Sequence, residues 1–395
     1  MTKRIIALFL AAVVFFTIAW GRQNTTSADT TVWFVNAYPG SDIYQLEGHS
    51  AIAVFYPDGR EVAFNFGVFD FNAPNFVFRF VKGETDYMAA PQPLVPFLNL
   101  YKAEGRRLVA HELELSAEQT KRLVTALETN ILPQNRTYRY NYVYDNCATR
   151  PLRAVETALG DSIFLPPAPM EANSYIPLTF RNIMRHYHRN YPWYQFGIDL
   201  ALGSGIDFTI DRRQATFAPA ELDRMLPLAK AGDKPVVSKT IVLNDVAPDA
   251  AIDSPTPFLA SPMGVFWIFF LVVIGLTIYD LHRRRTSKWF DALFFGILGL
   301  TGCLLSFLIF VSVHEATSPN WLYVWINPLC FIPTIFIWLK KGKNVVLCYQ
   351  FINFVALFVL LVCWYWLPQS ANPAFLPIIL AEMLRSAAYL KINHK

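Results

Sequence analysis

Hydrophobic and polar positions follow two rhythms along this chain, and the change falls near residue 254. Before it, apolar residues alternate with polar or small ones at a period of two, as strands half-buried against a core do. His49-Ser50-Ala51-Ile52-Ala53-Val54-Phe55 is one such run, and Glu61-Val62-Ala63-Phe64-Asn65-Phe66-Gly67 is a second. Pro57-Asp58-Gly59 supplies the turn of a hairpin between them. Leu108–Leu115 and the aromatic-polar stretch Tyr138–Tyr144 read as two further strands. Helical spacing lies between these runs. Ser116-Ala117-Glu118-Gln119 is a capping box, and Leu123, Val124, Leu127 and Ile131 form the buried stripe of the helix it opens. Leu152, Val155, Ala158 and Leu159 mark a second helix. The mixture predicts an α+β domain.

Beyond residue 254 the rhythm becomes long apolar runs. Ser254–Tyr279, Ala292–His314, Ala316–Leu339 and Asn344–Ala381 hold no Asp, Glu, Lys or Arg. Each of the first three is long enough for a spanning helix of roughly 20 residues. Pro368–Pro373 splits the fourth into Val345–Leu367 and a weaker span, Ala374–Leu390. The weaker span carries Glu382 and Arg385 on one helical face. These two either pair inside the membrane or mark an interfacial helix lying on it. At the other end, the basic start Met1–Arg4 precedes an apolar run, Ile5–Trp20. That is a signal anchor, or a signal peptide with Ala19 and Gly21 at its cleavage site. The expected organisation is a signal segment over 1–20, an exported domain with a C-terminal extension and linker over 21–260, and a transmembrane domain of four to five helices over 261–395.

Composition sharpens this picture. Only 16% of the residues are charged and 54% are hydrophobic, against about a quarter charged in an average soluble domain. A disordered chain is excluded, and the shortage of charge argues against a purely soluble globule. A net charge of +4 is too small to suggest a nucleic-acid partner. The cations Arg283, Arg284, Arg285 and Lys288, then Lys340, Lys341 and Lys343, then Lys391 and Lys395, join Met1–Arg4 on one side if the chain crosses six times. By the positive-inside rule that side is cytoplasmic. Residues 21–260 and the loops His314–Asn320 and Pro368–Pro373 then share the outer side.

Candidate chemistry begins with the cysteines. Cys303, Cys330, Cys348 and Cys363 lie in apolar runs, where a thiol is a small filler. Cys147 is alone in the exported domain, so it is either buried and inert or a working thiol. It follows the cap-type residues Asp145 and Asn146 and precedes Pro151, which places it at the start of a helix. A helix N-terminus, with Arg150 one turn on, is expected to lower a thiol pKa. A nucleophilic thiol needs an imidazole. His111 sits in an alternating strand and reads as a polar strand-face residue. His186 and His188, among arginines, read as basic surface rather than as metal ligands. His49 follows Gly48 at the start of a strand and is the candidate base, against the alternative of a satisfied strand histidine. Asn65 on the next strand is the candidate third group that orients the ring, with Glu61 as its competitor. His314 and Glu315, at the outer end of an apolar run, are candidates for binding substrate, or simply a loop cap.

Together these strings carry a family resemblance. A Gly-His strand start followed by an Asn-Cys helix start resembles a permuted papain-like fold, as in NlpC/P60 peptidases and lecithin–retinol-type acyltransferases. Glu47-Gly48-His49-Ser50-Ala51-Ile52, then Phe64-Asn65-Phe66-Gly67, then Tyr140-Asn141-Tyr142-Val143-Tyr144-Asp145-Asn146-Cys147-Ala148-Thr149-Arg150 resemble the Lnb N-terminal periplasmic domain. His314–Asn320 and Trp325–Leu329 resemble the membrane part of the same proteins. One departure is Leu46-Glu47 ahead of Gly48, where an aromatic residue is expected; it is read as remote from the chemistry. The resemblance implies a papain-like, NlpC/P60-like periplasmic domain fused to an α-helical transmembrane bundle in the bacterial inner membrane. It implies an N-acyltransferase that moves an acyl chain from a phospholipid, through a thioester on Cys147, to the α-amine of a diacylglyceryl-cysteine lipoprotein. His49 would be base and acid, Asn65 the orienter, and Arg150, Asn146, His314 and Glu315 substrate contacts, with no cofactor and no metal. A membrane-tethered cysteine peptidase or amidase, and a non-catalytic envelope scaffold, remain the competing readings.

Overall fold

The structure is a computed structural model that describes residues 29–160, 162–166 and 177–394, so the expected signal segment 1–20 lies outside the described residues. The chain runs β1 (Thr31–Ala37), β2 (His49–Phe55), β3 (Glu61–Val68), α1 (Phe76–Lys82), β4 (Asp86–Pro93), α2 (Leu94–Ala103), β5 (Leu108–Leu113), α3 (Ala117–Asn130), β6 (Thr137–Arg139) and α4 (Thr149–Leu159). The short β7 (Ile163–Phe164) follows, then helices α5 (Phe180–Tyr187), α6 (Pro192–Ala201), α7 (Arg212–Ala215) and α8 (Pro219–Met225). Strands β8 (Lys230–Ala231), β9 (Lys234–Pro235) and β10 (Val237–Asn244) close this half.

Seven strands form one antiparallel sheet in the order β10-β5-β1-β2-β3-β4-β6. The period of two separates its faces. Phe34, Ile52, Val54, Phe64 and Phe66 pack into a core with residues of α3, α4, α5 and α8. Val35, Ala37, Ala51, Ala53 and Ala63 turn to the other face, where their small side chains admit α2 through Leu94, Phe97, Leu98 and Tyr101. The expected strand over Tyr138–Tyr144 stops at Arg139. Asn141 ends it, because its Oδ1 accepts from the N–H groups of Val143 and Tyr144 and folds the chain into a turn closed against Asp145.

The second half is helical. Three segments are long and apolar enough to cross a membrane: α9 (Pro262–Arg283), α10 (Lys288–Phe310) and the stretch Lys340–Trp366. The expected span Ala316–Leu339 is not one helix. It is a series of single turns leading into α11 (Phe331–Phe336). Pro319, Pro328 and Pro333 remove backbone donors, and Asn320 and Asn327 cap new turns at Leu322 and Leu329. Within Lys340–Trp366 the regular helix is α12 (Lys343–Cys363), and α13 (Phe375–Asn393) follows.

Helix α13 packs along α9 and α12 rather than lying against the outside of the group. Its Glu382 and Arg385 are both buried but do not pair with each other. Arg385 forks onto Asp291, with Nε to Oδ1 at 2.7 Å and Nη2 to Oδ2 at 3.0 Å, and reaches Asp280 at 2.7 Å. Glu382 accepts from Asn353 at 2.9 Å instead.

The two halves are joined through the outer loops. Val313 N–H donates to the carbonyl of Lys82 at 2.9 Å, and Gly203 N–H donates to Ala316 at 2.8 Å. Gly203 is required here: a Cβ on it would lie 2.2 Å from the carbonyl oxygen of Pro319. Arg185 binds Ser370, and Asn372 donates to Asp199. The loops 314–320 and 368–373 thus both meet the sheet half.

Candidate functional site

The hairpin of β2 and β3 sets the first two groups. Its register places Ala51 opposite Asn65, and Phe55 opposite Glu61. His49, at the first position of β2, therefore lies at the same end as Asn65. Its Nε2 sits 3.1 Å from Asn65 Oδ1. Glu61 is exposed at the far end of the hairpin, so the competition for this contact resolves to Asn65. Asn65 is oriented in turn by its own amide, whose Nδ2 donates to Gln92 Oε1 on β4 at 3.1 Å. The His49 ring stacks over Tyr101 of α2, with centroids 6.1 Å apart. With Nε2 turned to Asn65, Nδ1 is the nitrogen left to act on another group.

Cys147 reaches the same end from the turn before α4. The main-chain N–H groups of Ser50 and of Cys147 itself hydrogen-bond its sulfur. This brings the thiol beside the residue that follows His49. Gly67 lies alongside: its φ of +82° favours glycine, and a Cβ there would stand in ordinary contact, 3.5 Å, with the Cβ of Cys147. Asn146 braces the turn. Its Oδ1 accepts from Ala148 and Thr149 N–H, and its Nδ2 donates to the carbonyls of Tyr142 and Phe217.

The electrostatics differ from the expectation. α4 begins at Thr149, two residues beyond the sulfur. The Arg150 guanidinium is taken by Asp145, at 2.6 and 3.0 Å, and lies over the Tyr138 ring. Neither cation nor helix terminus outweighs enclosure. Burial, with a smaller push from the nearby Glu47 carboxylate, raises the Cys147 thiol to about 11. Burial also lowers His49 to about 4, against an opposing pull from the Asn65 hydrogen bond and with a small further push from the Arg106 cation. The resting pair at neutral pH is therefore thiol and neutral imidazole.

Four groups near the site escaped the sequence reading. Glu47 is buried and accepts from the Tyr142 hydroxyl and from His188 Nε2, the latter at 2.7 Å. The departure ahead of Gly48 therefore does reach the chemistry. His188 is fully enclosed and its Nδ1 meets Gln195 at 2.7 Å, so it is not basic surface. His111 does lie on a strand, β5, but it is buried there, held by Asp223 at 2.7 Å and Thr240 at 2.9 Å. Arg106 is 1% exposed; its guanidinium lies over the Tyr101 ring that stacks on His49, and its charge reaches both His49 and Cys147. Local signals for these were weak, since the partners Glu47 and His188, His111 and Asp223, and Arg106 and the Tyr38 carbonyl lie far apart along the chain. Among the described residues no cluster of His, Cys, Asp and Glu is arranged to hold a metal.

His314 and Glu315 lie where the loop 314–320 meets the sheet half. The His314 Nε2 meets the carbonyl of Phe80 at 2.8 Å, clamping the outer loop to α1. Glu315 is exposed, close enough to Tyr144 to add to the burial that raises its hydroxyl.

Comparison with known proteins now bears on this geometry. A family model described as the Lnb N-terminal periplasmic domain matches residues 16–185, and one described as the Lnb transmembrane domain matches residues 254–395. No curated protein and no solved structure matches the chain.

Proposed function

The chain belongs to the Lnb family, with a periplasmic N-terminal part and a transmembrane domain, and on that premise we propose that it is a lipoprotein N-acyltransferase. The donor is a phospholipid and the acceptor is the α-amine of a diacylglyceryl-cysteine lipoprotein. The observation that carries this reading is the gathering of Cys147, His49 and Asn65 at one sheet end, in a domain clamped to apolar helices. A hydrolase of soluble peptides has no use for that clamp. An enzyme drawing both substrates from a bilayer does.

As the ester carbonyl arrives, His49 Nδ1 takes the Cys147 proton and the sulfur attacks the carbonyl carbon. On this reading the main-chain N–H groups of Cys147 and Ser50, which hydrogen-bond the resting sulfur, turn to the oxyanion as it forms. The C–O bond breaks, and the lysophospholipid oxygen leaves with the proton from His49. The acceptor amine then attacks the thioester and loses a proton to His49. The C–S bond breaks and Cys147 regains its proton. An α-amine has a pKa near 8, so a fair share is neutral at physiological pH. Asn65, by holding Nε2, leaves Nδ1 free to serve as the base. Asn146 and Arg150 shape the turn that carries Cys147, His314 fixes the two halves together, and Glu315 is the exposed carboxylate available to the incoming amine. The order His49, Asn65, Cys147 along the chain supports a permuted papain-like, NlpC/P60-like arrangement. The cation pattern supports a multi-pass protein of the inner membrane, with domain limits near 20 and 260.

Mass spectrometry of lipoprotein N-termini in a Cys147→Ser strain tests the reading. Loss of the third acyl chain is expected. Unchanged triacylation with altered cell-wall peptides would instead mark a peptidase or amidase, and no change in either would mark a scaffold.

A further inference from the structure

Helix α1 has no buried residue, although five of its seven positions are Phe or Val. Val77 is 72% exposed, Phe78 57% and Phe80 48%, and Phe71 just before the helix is 64% exposed. Its two cations are accounted for: Arg79 pairs with Asp86 and Lys82 with Glu84, each at 2.7 Å. A helix so apolar and so uncovered needs an occupant for its face. The occupant is indicated by what lies beside it. Phe78 meets Phe307 of α10, with centroids 5.8 Å apart, and Val81 packs against the core of the apolar helices. The uncovered face is therefore continuous with the apolar helices long enough to cross a membrane.

From α1 a series of rings runs inward. Phe80 stacks on Phe76 at 6.2 Å and Phe76 on Phe69 at 5.8 Å; Phe69 meets Tyr87 at 5.0 Å and Tyr87 stacks on Tyr140 at 4.2 Å. The inner end is at the thiol. The Tyr140 ring stands 3.6 Å from where a Gly67 Cβ would be, and Cys147 stands 3.5 Å from the same point. Five rings at these steps cover a contour comparable to one leaflet, about half of the roughly 30 Å hydrocarbon core.

We propose that this ring series is the track on which one acyl chain of an outer-leaflet phospholipid lies as its ester reaches Cys147, with α1 seated in the leaflet as the entrance. The proposal rests on the reading of a phospholipid as acyl donor. The helix supplies contact with lipid, and the rings supply an apolar path that excludes water from the sulfur.

The test uses the full chain carrying Cys147→Ser, so that lipid is not consumed, in nanodiscs of phosphatidylethanolamine and phosphatidylglycerol. These are doped with a phosphatidylcholine that bears a photoactivatable diazirine in one acyl chain. After irradiation, adducts are mapped by peptide mass spectrometry. Adducts are expected on 76–80 and also on Phe69, Tyr87 or Tyr140. A Phe76→Asp substitution should remove the inner adducts while leaving those on α9 and α10. Adducts confined to 76–80 or to the apolar helices overturn the track, for the rings are then only core packing. The outcomes separate from those of the parent reading. Inner adducts with lipoprotein N-termini unchanged in the Cys147→Ser strain keep the track and discard acyl transfer. No inner adducts, with loss of the third chain, discard the track alone.

Discussion

The protonation state of Cys147 is the sharpest quantity the structure offers, and alkylation measures it. A free cysteine, with pKa about 8.5, is roughly one-tenth thiolate at pH 7.5. Cys147, at about 11, is thiolate in only about one molecule in three thousand at that pH. The more basic thiolate is also the better nucleophile, by about tenfold for this difference in pKa. Iodoacetamide should thus modify Cys147 at least about thirty times more slowly than a cysteine peptide in the same tube. The rate should climb about tenfold per pH unit until it levels near 11. Replacing His49 with Ala adds the second half of the argument. The imidazole is held near 4 and is uncharged at pH 7.5, so its removal takes no cation from the sulfur and should leave the rate nearly unchanged. Peptide-level mass spectrometry separates Cys147 from the cysteines of the apolar helices. A rate that levels below pH 8, matches or exceeds the free peptide, and collapses in His49→Ala would refute the reasoning. It would show a resting thiolate–imidazolium pair.

Two further outcomes follow from named contacts. Asn65→Ala leaves the His49 Nε2–H without its acceptor; losing such a bond costs about 1–3 kcal/mol. On the proposed reading, single-turnover acyl transfer should slow by about 5- to 150-fold, with donor binding and the Cys147 alkylation profile unchanged. Arg385→Met strands Asp280 and Asp291 without their shared cation. The loss should be about 3–5 kcal/mol, read as a lowered thermal midpoint of the purified chain and largely restored by adding Asp280→Asn and Asp291→Asn.

The parts of the molecule legible from sequence were those governed by local physics. The hairpin turn at Pro57-Asp58-Gly59 set a register, and the register alone carried Asn65 to His49 and left Glu61 behind. Uncharged runs located three apolar helices because length and hydropathy are local properties. The run Ala316–Leu339 misled for the same reason, since hydropathy ignores the prolines that broke it into turns. Contacts between distant segments were not legible. The His188–Glu47 pair spans 141 positions, and nothing near either residue announces the other. The thiol went wrong through a sum of terms. A helix start and an arginine are visible in the sequence, but Asp145 neutralises the arginine and enclosure outweighs the rest.

The direction of that sum bears on why such a site would sit at a membrane. Enclosure and the Glu47 carboxylate favour the protonated thiol and outweigh the main-chain N–H groups of Ser50 and Cys147 and the Arg106 cation, which oppose them. Oxidants act on thiolates, and Cys147 lies in the periplasmic part, where oxidation is favoured. A thiol that keeps its proton at rest is protected there. The same enclosure makes a standing ion pair with His49 expensive, so on the proposed reading proton transfer must accompany carbonyl attack, when the oxyanion gains its N–H donors. Reactivity then depends on an acyl group filling the space in front of the sulfur. A water-borne thiol reagent gains none of that help. A lipid ester does, because its chain displaces water from the approach while its carbonyl collects the hydrogen bonds. Burial that would handicap a soluble cysteine hydrolase therefore serves an enzyme whose substrates arrive from the bilayer.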